Sequence, residues 1–344
     1  MSRLERLRAR LEEPLIVTSP VNVRYLTGLQ SSNAALVVEP ERVLLFADFR
    51  YRDAAGAVEG VEFVETARAL LPDIGRRLRG RHGFEAAHVS YAGYEALREG
   101  GLELVPRRGL VEALRAIKDE SEVDAIRRAT HAADAALEAL VRETWIGRTE
   151  RELAWRLEEL MHAHGAQGVS FETIVGSGPT GALPHGRPTD KLVARGELVV
   201  VDFGAVVDGY CSDCTRTFST GELPGELRRA YDVCLAAQEA AVEGIRAGMT
   251  GPEADRLARD RIEAAGFGAQ FGHGLGHGVG MEVHEAPGLR PESADVLEPG
   301  MVVTVEPGIY QPGLGGVRIE DLAVVRDDGL EVLTSFRKEL VTVE

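Results

Sequence analysis

The chain has 344 residues, 44% of them hydrophobic and 27% charged, the composition of an ordinary folded protein with material for about two domains. A formal net charge of −16 argues against nucleic acid and anionic membranes as partners, because both would repel it. The N-terminal segment MSRLERLRARLEEPL is charged throughout and lacks the apolar centre of a signal peptide, and no apolar run reaches spanning length, so the expected location is the cytoplasm.

In chain order, short β-branched runs at 15–18, 34–38, 43–47, 61–64 and 88–90 predict strands, punctuated by Pro, Gly or Asp. Helical patterns at 50–58, 70–78 and 94–98 lie between them, which predicts a small α/β domain over residues 1–120. An Ala-, Leu- and Glu-rich stretch from 111 to 144 predicts a helix that crosses into a second domain, 121–344, with Ser121 as a cap for its later part.

The second domain contains a repeat. Gly147-Arg-Thr149-x-x-Glu152 and Gly248-Met-Thr250-x-x-Glu253 are both capping boxes, 101 residues apart (149 to 250). Each predicted helix runs to a glycine at the same offset, Gly165 and Gly266, followed by a glycine-rich stretch containing His and then a hairpin with two acids. This predicts a duplicated unit folded about a pseudo-twofold, with equivalent points meeting at one centre.

The first hairpin carries Asp202 and Asp213 around Asp208-Gly209, a strong two-residue turn signal. That turn places Thr215 opposite Asp202, with Asp213 a diagonal neighbour about 7 Å away. Asp202 interrupts an apolar run in which a buried strand would not leave an unpaired charge. The second hairpin offers Glu306 at the end of Met301-Val-Val-Thr-Val, and Arg318 with Glu320 on one face of the returning strand. Between the hairpins, His273, His277 and His284 sit among glycines, a setting for close approach to a ligand rather than for core packing. His185, in Leu-Pro-His-Gly, closes the equivalent stretch of the first unit. Four carboxylates and an imidazole make a hard, oxygen-rich set suited to Mn²⁺, Co²⁺ or Zn²⁺, and so many negative charges call for two divalent cations.

Two other motifs carry no such weight. Cys211-x-x-Cys214 has no second pair to complete a zinc site and reads as small residues filling a sheet, with Cys234 as the third cysteine. Gly176-x-Gly178-x-x-Gly181 matches a dinucleotide fingerprint, but Pro179, Pro184 and Pro188 forbid the helix it requires.

The segments VVDFGAVVDGYCSDCTRTF, FGHGLGHGVGMEVHEAP, VVTVEPGIY and GGVRIED together resemble the pita-bread metallopeptidases, a family that includes methionine aminopeptidase, aminopeptidase P and prolidase. VRYLTG and ADFRY resemble the N-terminal domain of prolidases and aminopeptidases P. The resemblance implies an α/β N-terminal domain followed by an α+β pita-bread domain. It implies Asp202, Asp213, His277, Glu306 and Glu320 as ligands of two divalent ions, with Asp213 and Glu320 bridging. Glu306 would be a proton shuttle, and His185, His273 and His284 would contact substrate and stabilise the intermediate. By the same likeness the expected reaction is hydrolysis of an Xaa-Pro bond by a water held between the two ions, and the expected state is a homodimer. The compact N-terminal domain favours a dipeptidase over an aminopeptidase acting on longer peptides. A dipeptidase needs an arginine for the substrate carboxylate, and Arg50, Arg290 and Arg318 are the candidates. A non-catalytic peptide-binding module would have no need of the complete ligand set.

Overall fold

Short apolar runs of the first 115 residues become strands in a computed structural model that describes all 344 residues and divides into two units, Met1–Arg115 and Ala116–Glu344. The first unit has strands β1 (Leu15–Val17), β2 (Ala34–Val38), β3 (Val43–Asp48), β4 (Glu62–Thr66), β5 (Gly80–Glu85) and β6 (Leu102–Arg107). Its helices are α1 (Arg3–Arg8), α2 (Pro20–Thr27), α3 (Arg52–Gly56), α4 (Leu70–Arg77), α5 (Tyr91–Glu99) and α6 (Glu112–Arg115). The six strands form one mixed sheet in the order β4-β3-β2-β1-β5-β6. Ile16, Val37, Phe46, Ile74, Phe84 and Leu97 pack together between sheet and helices.

Two expectations fail here. Residues 88–90 are not a strand; Ser90 caps α5 by accepting the Gly93 N–H. The strand lies earlier, in β5, whose sequence Gly-Arg-His-Gly-Phe-Glu contains no β-branched residue and is strand only because β1 and β6 flank it. The long helix predicted over 111–144 is also broken: α6 ends at Arg115, and α7 (Glu120–Leu140) begins after Asp119, not Ser121. Asp119 accepts the Glu122 N–H while Glu122 accepts the Asp119 N–H, the reciprocal capping box.

In the second unit the duplication is laid out element by element. After α7, helix α8 (Glu150–Ala163) leads to β7 (Gly168–Val169), β8 (Ile174–Ser177), β9 (Leu198–Phe203), β10 (Ala205–Val207), β11 (Tyr210–Cys211) and β12 (Cys214–Ser219). Then α9 (Gly225–Gly244) and α10 (Gly251–Ala264) precede β13 (Gly276–Gly278), β14 (Glu285–Leu289), β15 (Val302–Val305), β16 (Gly308–Gln311), β17 (Gly315–Arg318), β18 (Asp321–Arg326) and β19 (Gly329–Val332). Both capping boxes form, both helices have 14 residues, and the terminating Gly165 and Gly266 take positive φ (101° and 86°), where a Cβ would be strained. β8, β9 and β12 are adjacent in one antiparallel sheet as β13, β15 and β18 are in another. The second hairpin differs from the expectation, because β16 and β17 pair with each other and stand as an insertion between β15 and β18.

The first hairpin turns at Asp208 (φ 53°) and Gly209 (φ 86°), and the register it sets pairs Val207 with Tyr210 and Asp202 with Thr215. The three cysteines are buried free thiols, and residues 178–182 form a 3-10 turn rather than the helix a dinucleotide site needs. No helix is long and apolar enough to cross a membrane.

The sheets of the two halves are joined by a buried ion pair. Arg216 on β12 donates to Asp321 Oδ1 at 2.8 Å, to the carbonyl of Phe336 at 2.7 Å and to the carbonyl of Glu320. Asp321 also accepts from Thr334, Gln238 and Lys338. Replacing Arg216 with Met removes one of the two cations on Asp321 and the buried donor to the Glu320 and Phe336 carbonyls, so the second unit should lose about 1–3 kcal/mol of stability, read from denaturant unfolding of the variant and the parent.

Candidate metal centre

The repeat delivers its acids in matched pairs. Asp202 is the fifth residue counted from the start of β9, and Glu306 directly follows the four-residue β15; Asp213 directly precedes β12, and Glu320 directly precedes β18. His277 on β13 has no such partner, since Gly176 stands at the corresponding place, 101 residues earlier, on β8. All five line one cavity of about 610 Å³, together with His185, His273, His284, Arg290 and Arg318. Ligand atoms of Asp213, His277 and Glu320 lie within 4.8 Å of one another.

The bonds around these acids explain their aim. Thr215 donates its hydroxyl to Glu320 Oε2 at 2.7 Å and accepts from Arg318 Nε at 3.0 Å. Arg318 Nη2 donates to Asp202 Oδ2 at 2.5 Å, and its Nη1 donates to the Tyr310 hydroxyl and to the carbonyl of Pro184. One oxygen of Asp202 and one of Glu320 are therefore held by the protein. The other two, Asp202 Oδ1 and Glu320 Oε1, are buried with no hydrogen-bond partner. A buried carboxylate oxygen left bare is costly unless a cation takes it.

His277 fits the same requirement. A carbonyl can only accept, so the 3.1 Å contact to Gly278 O makes Nδ1 the donor. Nε2 then points at Glu306 Oε1 (3.2 Å) and Asp213 Oδ2 (3.7 Å). That orientation, fixed by a backbone carbonyl on the far nitrogen, is how a ligating imidazole is held.

Burial raises the Asp213 carboxyl well above the usual range, and the charges of Glu320, Asp202 and Glu306 add to it. Glu320 is raised in the same way, by burial and then by Glu306 and Asp202. Asp202 is raised by burial against the opposing pull of Arg318. Burial pushes Glu306 up too, but the His277 hydrogen bond and charge outweigh it and bring the carboxyl to about 2. Three acids raised by burial and shared charge, two bare buried oxygens and one directed imidazole fit divalent cations.

The remaining predicted residues divide into two groups. His185 and His284 are exposed on the cavity wall, the His284 ring 4.2 Å from that of His277. His273 and Arg318, both expected to meet substrate, line the same cavity and are hydrogen-bonded within the protein. His273 donates Nδ1 to the Gly274 carbonyl at 2.8 Å, and its Nε2 receives the Tyr310 hydroxyl at 3.0 Å. Arg318 has donated four of its five N–H groups to protein oxygens. Sequence reading missed Tyr310, because an aromatic residue in a strand reads as core; only its contact with Arg318 and His273 marks it. Thr215 was placed opposite Asp202 by the turn but given no task.

Comparison with known proteins shows the family. Residues 3–117 match the creatinase/prolidase N-terminal domain, and residues 124–327 match metallopeptidase family M24. The chain is 37% identical to a Xaa-Pro dipeptidase of Pyrococcus furiosus over 98% of this chain and 99% of that protein. The structure of a Xaa-Pro dipeptidase from Bacillus anthracis superposes with a TM-score of 0.96 at 41% identity, covering 99% of both chains. That of an X-Pro aminopeptidase from Thermotoga maritima superposes at 0.91 with 34% identity, covering 99% of this chain and 100% of that one. The chain belongs to metallopeptidase family M24, with a creatinase/prolidase N-terminal domain ahead of the peptidase domain.

Proposed function

We propose that this protein is a Xaa-Pro dipeptidase, cleaving the bond before proline in a dipeptide. The observation that carries the hydrolase reading is the single cavity in which Asp202, Asp213, His277, Glu306 and Glu320 converge with two bare carboxylate oxygens. These five residues would hold two divalent ions. Such ions, when bound, lower the pKa of a water and polarise the scissile carbonyl. Glu306 takes the proton of the attacking water and returns it to the departing nitrogen. His185 and His284, whose rings are exposed on the wall, donate to the carbonyl oxygen as charge develops on it. The chain of Asp202, Arg318, Tyr310 and His273 orients Asp202 and keeps these side chains fixed while substrate comes and goes.

The dipeptide reading rests on Arg290. Of the three candidate arginines, Arg50 is tied up in a bidentate pair with Asp48, and Arg318 is consumed as described above. Arg290 is exposed at the cavity and its guanidinium has no ion pair or hydrogen bond within the protein, which suits it to a substrate carboxylate. The runner-up reading, release of the first residue from longer Xaa-Pro peptides, is favoured by the likeness to the Thermotoga X-Pro aminopeptidase.

Three outcomes are expected. In parallel assays with added Mn²⁺, Co²⁺ or Zn²⁺, Ala-Pro should be hydrolysed well ahead of Ala-Pro-Ala; the reverse preference would favour the aminopeptidase reading. Asp213→Asn should abolish hydrolysis and drop bound metal well below about two ions per chain, counted by elemental analysis. Arg290→Ala should raise KM for Ala-Pro by about 10- to 100-fold, the worth of a hydrogen bond to a charged group, with little change for the tripeptide in steady-state assays.

A further inference from the structure

Glu150 opens α8 directly after its cap, yet it takes no part in the capping box, in which Thr149 and Glu152 satisfy each other. Its side chain turns inward, and the residue is fully buried. There the carboxylate accepts five hydrogen bonds. Oε1 receives the Ser177 N–H and O–H, each at 2.8 Å, and the Thr180 hydroxyl. Oε2 receives the Thr189 N–H at 3.0 Å and its hydroxyl at 2.6 Å.

These partners lie on the two sides of one loop. Ser177 is the last residue of β8 and Thr180 sits in the 3-10 turn that follows, whereas Thr189 is where the loop leaves the cavity. Between them, residues 184 to 188 line the cavity and carry His185. One carboxylate thus closes the base of the loop, and the Arg318 bond to the carbonyl of Pro184 ties its tip to the centre at 3.1 Å.

The repeat shows that the helix itself does not require this acid. At the equivalent position of α10 stands Gly251, where a Cβ would fall 2.2 Å from the carbonyl oxygen of Gly288. In that half the stretch after His284 is anchored from the loop side, by Asp295 accepting the Gly288 N–H at 2.7 Å. Glu150 is therefore specific to the loop of His185. All five of its partners are donors, so a carboxylate fits and an amide does not: the NH₂ of a glutamine would face N–H and O–H groups.

We propose that Glu150 is a positioning residue that acts through His185, pinning both ends of the 178–188 loop so that the imidazole keeps its place on the cavity wall. The proposal rests on the reading of His185 as a substrate contact. The test is a double-mutant cycle on the metal-loaded enzyme, with kcat/KM for Ala-Pro measured for Glu150→Gln, Thr189→Val, His185→Ala and the two double variants that include His185→Ala. Glu150→Gln should lower kcat/KM on the order of 100-fold, as displacement of a reacting group by about 1 Å does. Thr189→Val, which removes one donor and leaves the acid, should lower it by about tenfold. Neither should lower it further once His185 is alanine, because residues acting as a unit are non-additive. Metal content and the circular dichroism spectrum should match the parent; Thr189→Val decides the matter if Glu150→Gln fails to fold. Losses that multiply with that of His185→Ala, a fall in bound metal, or parental kcat/KM in both variants would overturn the proposal. Parental kcat/KM in His185→Ala itself would overturn the substrate-contact reading first, and the positioning role with it.

Discussion

Four carboxylates face one cavity, and their mutual repulsion is the constraint around which the second unit is organised. Burial and that repulsion raise the carboxyls of Asp213 and Glu320 well above the usual range. The fold does not relieve this by dispersing the acids. It fixes one oxygen of Asp202 through Arg318 and one of Glu320 through Thr215, and leaves their partners bare. Divalent cations are the chemistry that such a design accepts, and metallopeptidase family membership is consistent with it.

Support for the acids comes from the opposite side of the strands that carry them. Asp321, adjacent to Glu320, accepts four hydrogen bonds from Arg216, Thr334, Gln238 and Lys338. Arg216 in turn donates to the carbonyl of Glu320, so the buried pair behind the sheet holds the backbone from which the acid projects. Displacing the Glu320 backbone would then strain a charged pair in the core, which holds that residue in place.

Duplication explains the symmetry of the centre, and the breaks in it explain its division of labour. Asp202 and Glu306, and Asp213 and Glu320, are equivalent by the repeat. His277 exists only in the second half and Glu150 only in the first. The second half thus supplies the imidazole proposed as a ligand, while the first supplies an exposed histidine on a loop with a pinned base. Equivalent helices tolerate this because their capping boxes, which the two halves share, do not involve the residue that differs.

Local signals in the sequence determined a good deal. Thr149-x-x-Glu152 and Thr250-x-x-Glu253 announced two equal helices because capping chemistry lies within one turn. Asp208-Gly209 set the register that puts Asp202 opposite Thr215, since a two-residue turn leaves the strands no other pairing. Asp119-x-x-Glu122 carries the same capping signal two residues ahead of Ser121, and it is the box that forms. What needed the tertiary structure were the properties that depend on neighbours distant in the chain. β5 is a strand because two other strands flank it, despite a sequence with little tendency to be one. Arg290 and Arg318 look alike in sequence, yet one is exposed without a partner and the other is consumed by Thr215, Tyr310, Pro184 and Asp202. His273 lost its free nitrogens to Gly274 and to Tyr310, 37 residues away. Residue type and spacing state which chemistry is available; only folding decides which donors and acceptors are already satisfied and which are left to meet a ligand.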